Sequence, residues 1–137
     1  MAIYGIGVNY GNRKVTDQFF QLNIAGTGWD YSDAEDIHEL FRSLKTGDIV
    51  FLKSCSYSSD ITVYGIGLVA DEMILNSHHH AIVEIGRNIH WLSHNEFRIA
   101  RPVSTKNNVR INTIYQEFHP DIVAEIMRVV DRTIVNI

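Results

Sequence analysis

Three consecutive histidines, His78, His79 and His80, place imidazole nitrogens where a metal centre would want them. Alternate residues share a face on a strand, so only His78 and His80 could act together. A zinc site needs a third ligand and usually a fourth, and His90 and His94 fit no ligand spacing, so the reading is a solvated loop and no metal. Cys55 is a nucleophile by type, but a thiol needs a base brought beside it. No signature surrounds it, and the plainer reading is a small packed residue. Asp48, in Thr46-Gly47-Asp48-Ile49-Val50, would serve a nuclease only with further acids and a lysine around a divalent ion. Lys53 and Glu84 are the available recruits, yet acid and lysine do not alternate on one strand, and Asp48 is expected to bond the backbone of the turn at Gly47. Gly5-Ile6-Gly7 and Gly65-Ile66-Gly67 lack the third glycine and following helix of a dinucleotide fingerprint. They are expected to let strands bend or approach, and no cofactor is expected.

The aromatic Trp29 stands out by its surroundings, Gly26-Thr27-Gly28-Trp29-Asp30-Tyr31. A ring in a glycine-flanked loop can pave a pocket and stack on a flat ligand such as a base. It can equally plug one end of a barrel. Trp91, by contrast, alternates within an apolar segment and is expected in the core.

The elements that must position these residues follow from periodicity. Ala2 to Tyr10 alternates small and apolar residues and reads as a strand. Thr16 to Asn23 reads as one or two helical turns, and Ile24 to Tyr31 as a loop. Ser32 with Glu35 forms a capping-box pattern for a helix to Leu44, with Ala34, Ile37, Leu40, Phe41 and Leu44 as its apolar stripe. Asp48 to Lys53 is almost wholly apolar, which predicts a strand buried on both faces. Ile61 to Val69 is a β-branched strand punctuated by glycines. Ala81 to Ile85 and Ile89 to Leu92 read as two strands around a Gly86-Arg87-Asn88 turn, and Phe97 to Val103 as another. Asp121 to Asn136 is a second amphipathic helix with an apolar face running from Ile122 through Ile126 and Val130 to Ile134.

At 137 residues, 45% hydrophobic and 20% charged, the chain suits one globular domain spanning 1–137. The expected fold is α+β, a small curved sheet or pseudo-β-barrel with flanking helices and a C-terminal amphipathic helix. No apolar stretch is long enough for a membrane helix, and the first residues have no basic and apolar leader pattern. One cysteine permits no internal disulfide, so a reducing, cytoplasmic setting is expected. The formal charge of −4 argues against capture of duplex DNA by phosphate neutralisation. It leaves room for a local basic patch or a pocket for one nucleotide, and a homo-oligomer stays open.

The order of these pieces resembles the PUA-like superfamily, especially its EVE and ASCH branches, over roughly Ile3 to Trp91. Four segments carry the resemblance: Tyr4-Gly5-Ile6-Gly7-Val8-Asn9, Gly28-Trp29-Asp30, the Gly47-Asp48 turn running into Ile49-Val50-Phe51-Leu52-Lys53, and Tyr64-Gly65-Ile66-Gly67-Leu68-Val69. The resemblance implies a pseudo-barrel with a pocket at one end, and a nucleotide-like ligand or modified nucleic acid as partner. On matching positions, Asn9, Tyr10, Trp29, Lys53 and Ser54 would rim that pocket. Trp29 and Tyr10 would stack on a ring, Asn9 and Ser54 would bond its edge, and Lys53 would meet a phosphate as a point charge. Two departures count against nucleic acid: the acidic charge, and Ser77 to His80, which has no counterpart in the family. The principal expectation is a non-catalytic binding module. An ASCH-type hydrolase with Lys53 and Glu84 as a polar pair is the enzymatic alternative, and a protein-interaction or sequestering module is the third.

Overall fold

The apolar run Ile49-Val50-Phe51-Leu52 makes the middle of the molecule. Its side chains alternate between two separate cores, so that Val50 and Leu52 pack in one and Ile49 and Phe51 in the other, all fully buried. A strand covered on both faces needs no polar residues for half its length. The computed structural model describes residues 1–10, 13–55, 60–100 and 109–135. Its strands are β1 (Ile3–Gly7), β2 (Asn9–Tyr10), β3 (Arg13–Lys14), β4 (Ile24–Thr27), β5 (Ile49–Ser54), β6 (Ile61–Val69), β7 (Ile85–Ser93), β8 (Phe97–Ile99) and β9 (Ile114–Gln116). The α-helices are α1 (Thr16–Leu22), α2 (Glu35–Ser43) and α3 (Pro120–Val135).

Seven of the strands form one strongly curled sheet in the order β4-β7-β6-β5-β1-β9, with β8 also paired to β6. Only β1 and β5 run parallel within it. One core packs Phe19 of α1 and Phe41 of α2 against Tyr4, Ile6, Val50 and Leu52. The other packs Ile122, Ile126 and Val130 of α3 against Ile3, Ile49, Phe51 and Tyr115. The expected stripe of the last helix is therefore real up to Val130, while Ile134 is exposed. Gly5 shows why a glycine stands in β1: a Cβ there would lie 2.6 Å from the ring of Tyr115, its cross-strand partner. Two register shifts, at Leu52/Lys53 and Ile66/Gly67, add the local twist that curls the sheet.

Three local expectations are corrected. Gly86-Arg87-Asn88 is no turn; β7 runs straight through it, and Ile24 to Thr27 is a strand that pairs with these same residues. Each segment was unreadable without the other, because the pairing joins residues 58 to 64 positions apart in the chain, and Arg87 is fully buried there by contacts described below. Ser32 caps no helix: it sits in a 3-10 turn, Tyr31–Asp33, and α2 begins only at Glu35. Trp91 packs against the first core as expected but is only half-buried, its indole Nε1 donating to the Phe19 carbonyl at 3.2 Å. Of the expected strand from Phe97, residues beyond Ala100 lie outside the described ones, as does most of the loop after Cys55. No helix among the described residues is long and apolar enough to cross a membrane.

Candidate functional site

Parallel pairing brings the ends of β1 and β5 together, Gly7 opposite Lys53. Beyond that edge the curled sheet leaves a cleft of about 340 Å³. Asn9, Tyr10, Trp29, Lys53 and Ser54 all line it. Thr27, Gly28 and the Trp29 loop line it, as do Ile111, Asn112 and Thr113, which are joined to β1 by a bond from the Gly7 amide to the Thr113 carbonyl at 2.7 Å.

The chemistry of the five differs from expectation at two of them. Lys53 is only 2% exposed, and its ammonium donates to the carbonyls of Arg110 and Asn112, both at 2.6 Å. Burial lowers its pKa to about 8, and nearby Cys55 acts in the opposite direction. It is thus a brace for the cleft wall at Asn112 rather than a charge offered to a phosphate. Ser54 is half-committed too, its Oγ bonding the Tyr64 hydroxyl at 2.8 Å.

Tyr10 is half-buried, its ring edge-on to Phe19 at 6.3 Å and closely packed against Gly28, where a Cβ would lie 3.2 Å from Cε2. Burial raises the pKa of its phenol, and the hydroxyl has no hydrogen-bond partner among the described residues. Asn9 is exposed at the rim. Trp29 is 54% exposed, which rules out a plug on all sides. Its loop is fixed by backbone: the Trp29 amide donates to Thr27 Oγ1 at 3.3 Å, and its carbonyl accepts from Nε2 of buried His38 on α2 at 2.6 Å. The His38 ring stands edge-on to Tyr31 at 5.6 Å.

Several supporting residues escaped the sequence reading. Arg110 and Glu117 form a buried bidentate pair, at 3.0 and 2.8 Å. Glu117 also accepts the amides of Phe118 and His119, so one carboxylate ties the cleft wall to the start of α3. Seven residues apart and on no common helix, the two carry no periodic signal. Lys14 is exposed, pairs across the β2–β3 ribbon with Asn9, and holds its ammonium 4.6 Å above the Tyr64 ring. Cross-strand partners share a face, so Lys14 places a cation on the same side of the ribbon as Asn9 at the rim. The spacing alone hid this, because a lone surface lysine is ordinary.

Glu84 does not line the cleft with Lys53: it lines another hollow, which shares only Tyr10 and Gly28 with the first. His78 and His79 lie in a turn built on Asn76, whose Oδ1 accepts the His78 amide and whose own amide donates to His79 Nδ1. Among the described residues no three His, Cys, Asp or Glu side chains converge for a metal. Asp48 bonds the backbone as a turn residue, accepting the Lys45 amide at 2.8 Å and, across the sheet, the Ala2 amide at 3.2 Å.

Trp29 and residues Ile111 to Thr113 also wall a second groove, of about 470 Å³, whose other side is α2. No protein-family model matches the chain, and no curated protein matches it.

Proposed function

We propose that the chain is a non-catalytic binding module of PUA-like type, close to the EVE and ASCH branches, that takes a modified base, nucleotide or nucleotide-like ligand in the cleft beside Trp29. The observation that carries the reading is the half-exposed indole at the edge of a 340 Å³ cleft. That volume lies at the small end of ligand pockets, suited to one nucleoside-sized group rather than a duplex. The ring supplies a stacking face, worth about 1–3 kcal/mol per base. The amide of Asn9 offers the donor and acceptor pair that reads a base edge. A phosphate on such a ligand would meet exposed Lys14 rather than Lys53, whose ammonium already serves two carbonyls.

The hydrolase reading needs Lys53 and Glu84 as a pair, and they line different hollows. A thermal-shift screen against nucleosides, nucleotides and short modified oligonucleotides tests the binding reading. A hit should be weakened about tenfold to a hundredfold in Trp29→Ala, the factor corresponding to one lost stack. Full affinity in that variant, or no hit of any base-containing ligand, would sink it.

A further inference from the structure

The second groove differs in charge from the first, and nothing in a base-binding role accounts for it. On α2, Asp36, Ile37 and Leu40 follow the helical spacing that puts residues on one face; Asp33 comes from the 3-10 turn before the helix, and all four line the groove. Ile37 and Leu40 are half-buried, while both aspartates are exposed. Neither carboxylate has an ion-pair partner among the described residues, whose pairs are Arg87–Glu72, Arg110–Glu117 and Arg128–Glu125. No lysine or arginine is among the described residues lining the groove. Trp29 lines the groove as well.

We propose that this groove docks a basic peptide segment of a partner protein, with one arginine or lysine stem lying along Ile37 and Leu40 and its cationic head between Asp33, Asp36 and the Trp29 ring. Long cationic side chains combine an apolar stem with a charged tip, which is the combination the groove presents in reverse. An aromatic face adds attraction for a cation, more for arginine than for a neutral group. Charge complementarity selects this occupant over nucleic acid, because two uncompensated carboxylates repel phosphate. Exposed apolar residues, Ile111 of the groove lining at 38% exposure and Tyr31, two residues from Trp29 in the chain, at 50%, would be left uncovered by a lone amine but covered by flanking peptide residues. Asp33 and Asp36 have a part in complementing the α2 dipole, but that role needs neither the apolar floor nor the indole.

The test is a titration followed by NMR, in which the two indole resonances are resolved. The probe is a short acetylated and amidated peptide with one arginine between leucines, compared with the same peptide carrying citrulline, which keeps the shape and removes the charge. Saturable shifts of the Trp29 indole and of the Ile37 and Leu40 methyls are expected for the arginine peptide. Affinity should fall about tenfold or more for citrulline, and similarly for the arginine peptide on D33N/D36N protein. The citrulline comparison uses unaltered protein, so it stands whatever the double variant does to folding. Equal binding of citrulline and arginine peptides, or no saturable shift with arginine or with lysine in its place, overturns the proposal. So does a single-stranded oligonucleotide that shifts these methyls while the peptide does not. Loss of base binding in the first cleft would leave these results unchanged, so the two readings fail separately.

Discussion

Two buried cations sit at opposite ends of the central strands, and they end the sheet in opposite ways. Where β5 begins, Arg87 is fully buried and its guanidinium donates to four carbonyls, those of Phe41, Leu44, Asp71 and Met73, with Glu72 at 3.9 Å. Where β5 finishes, Lys53 serves two carbonyls, those of Arg110 and Asn112. A guanidinium has five donors in a fixed fork and stays charged; an ammonium has three and gives up its proton when desolvated. The arginine therefore gathers the end of α2 and the loop after β6 into a closed floor. The lysine holds one wall away from the strands and leaves a cleft beside it. The two ends thus differ in how many carbonyls each cation draws in, four at the first and two at the second.

The largest effect should come from the closed end. Arg87→Ala orphans four buried or half-buried carbonyls, and at about 1–3 kcal/mol for each unsatisfied group the loss should reach about 4 kcal/mol or more. Urea unfolding measures it, and a midpoint close to the parent's would show that the floor closes without the guanidinium. Arg87→Lys should recover only part, since three donors cannot reach four carbonyls. Next in size is the brace behind the cleft wall. Glu117→Gln leaves the buried Arg110 charge uncompensated, for which about 3–5 kcal/mol is expected. Ligand binding in the cleft should weaken along with stability, and an unchanged affinity in folded variant protein would detach the wall from the site.

Lys53 distinguishes the two ends by its pH dependence. Its folded pKa of about 8 lies below the unfolded value near 10.4, so between these values the unfolded chain binds the extra proton. Stability from this group is therefore lowest below about pH 8 and rises as the pH climbs toward the unfolded value. From about pH 7 to about pH 9.5, wild-type protein should gain roughly 2 kcal/mol relative to Lys53→Met. A constant difference between the two across that range would mean that the ammonium is as well solvated as a surface lysine. The smallest effect on stability belongs to Trp29→Ala. A half-exposed ring should cost about 1 kcal/mol or less, against about 3–5 kcal/mol for a core tryptophan. Melting far below the parent would turn the candidate stacking face into a structural residue.

What periodicity could encode was legible in the sequence. The apolar run from Ile49 and the β-branched run from Ile61 to Val69 state their burial in consecutive residues, and the Ile122, Ile126 and Val130 stripe states the face of α3. The grouping of Asn9, Tyr10, Trp29, Lys53 and Ser54 was an expectation from the family resemblance of the segments, and all five line one cleft. The roles within that group could not. Lys53 became a brace only because carbonyls 57 and 59 residues away came within 2.6 Å. Gly86-Arg87-Asn88 has the composition of a turn, but its backbone pairs with distant β4 and the Arg87 guanidinium is taken by distant carbonyls, which keep Arg87 buried inside a strand. Local pattern fixes which face a residue shows, whereas the use of a charge depends on which backbone groups the fold leaves in need of a donor.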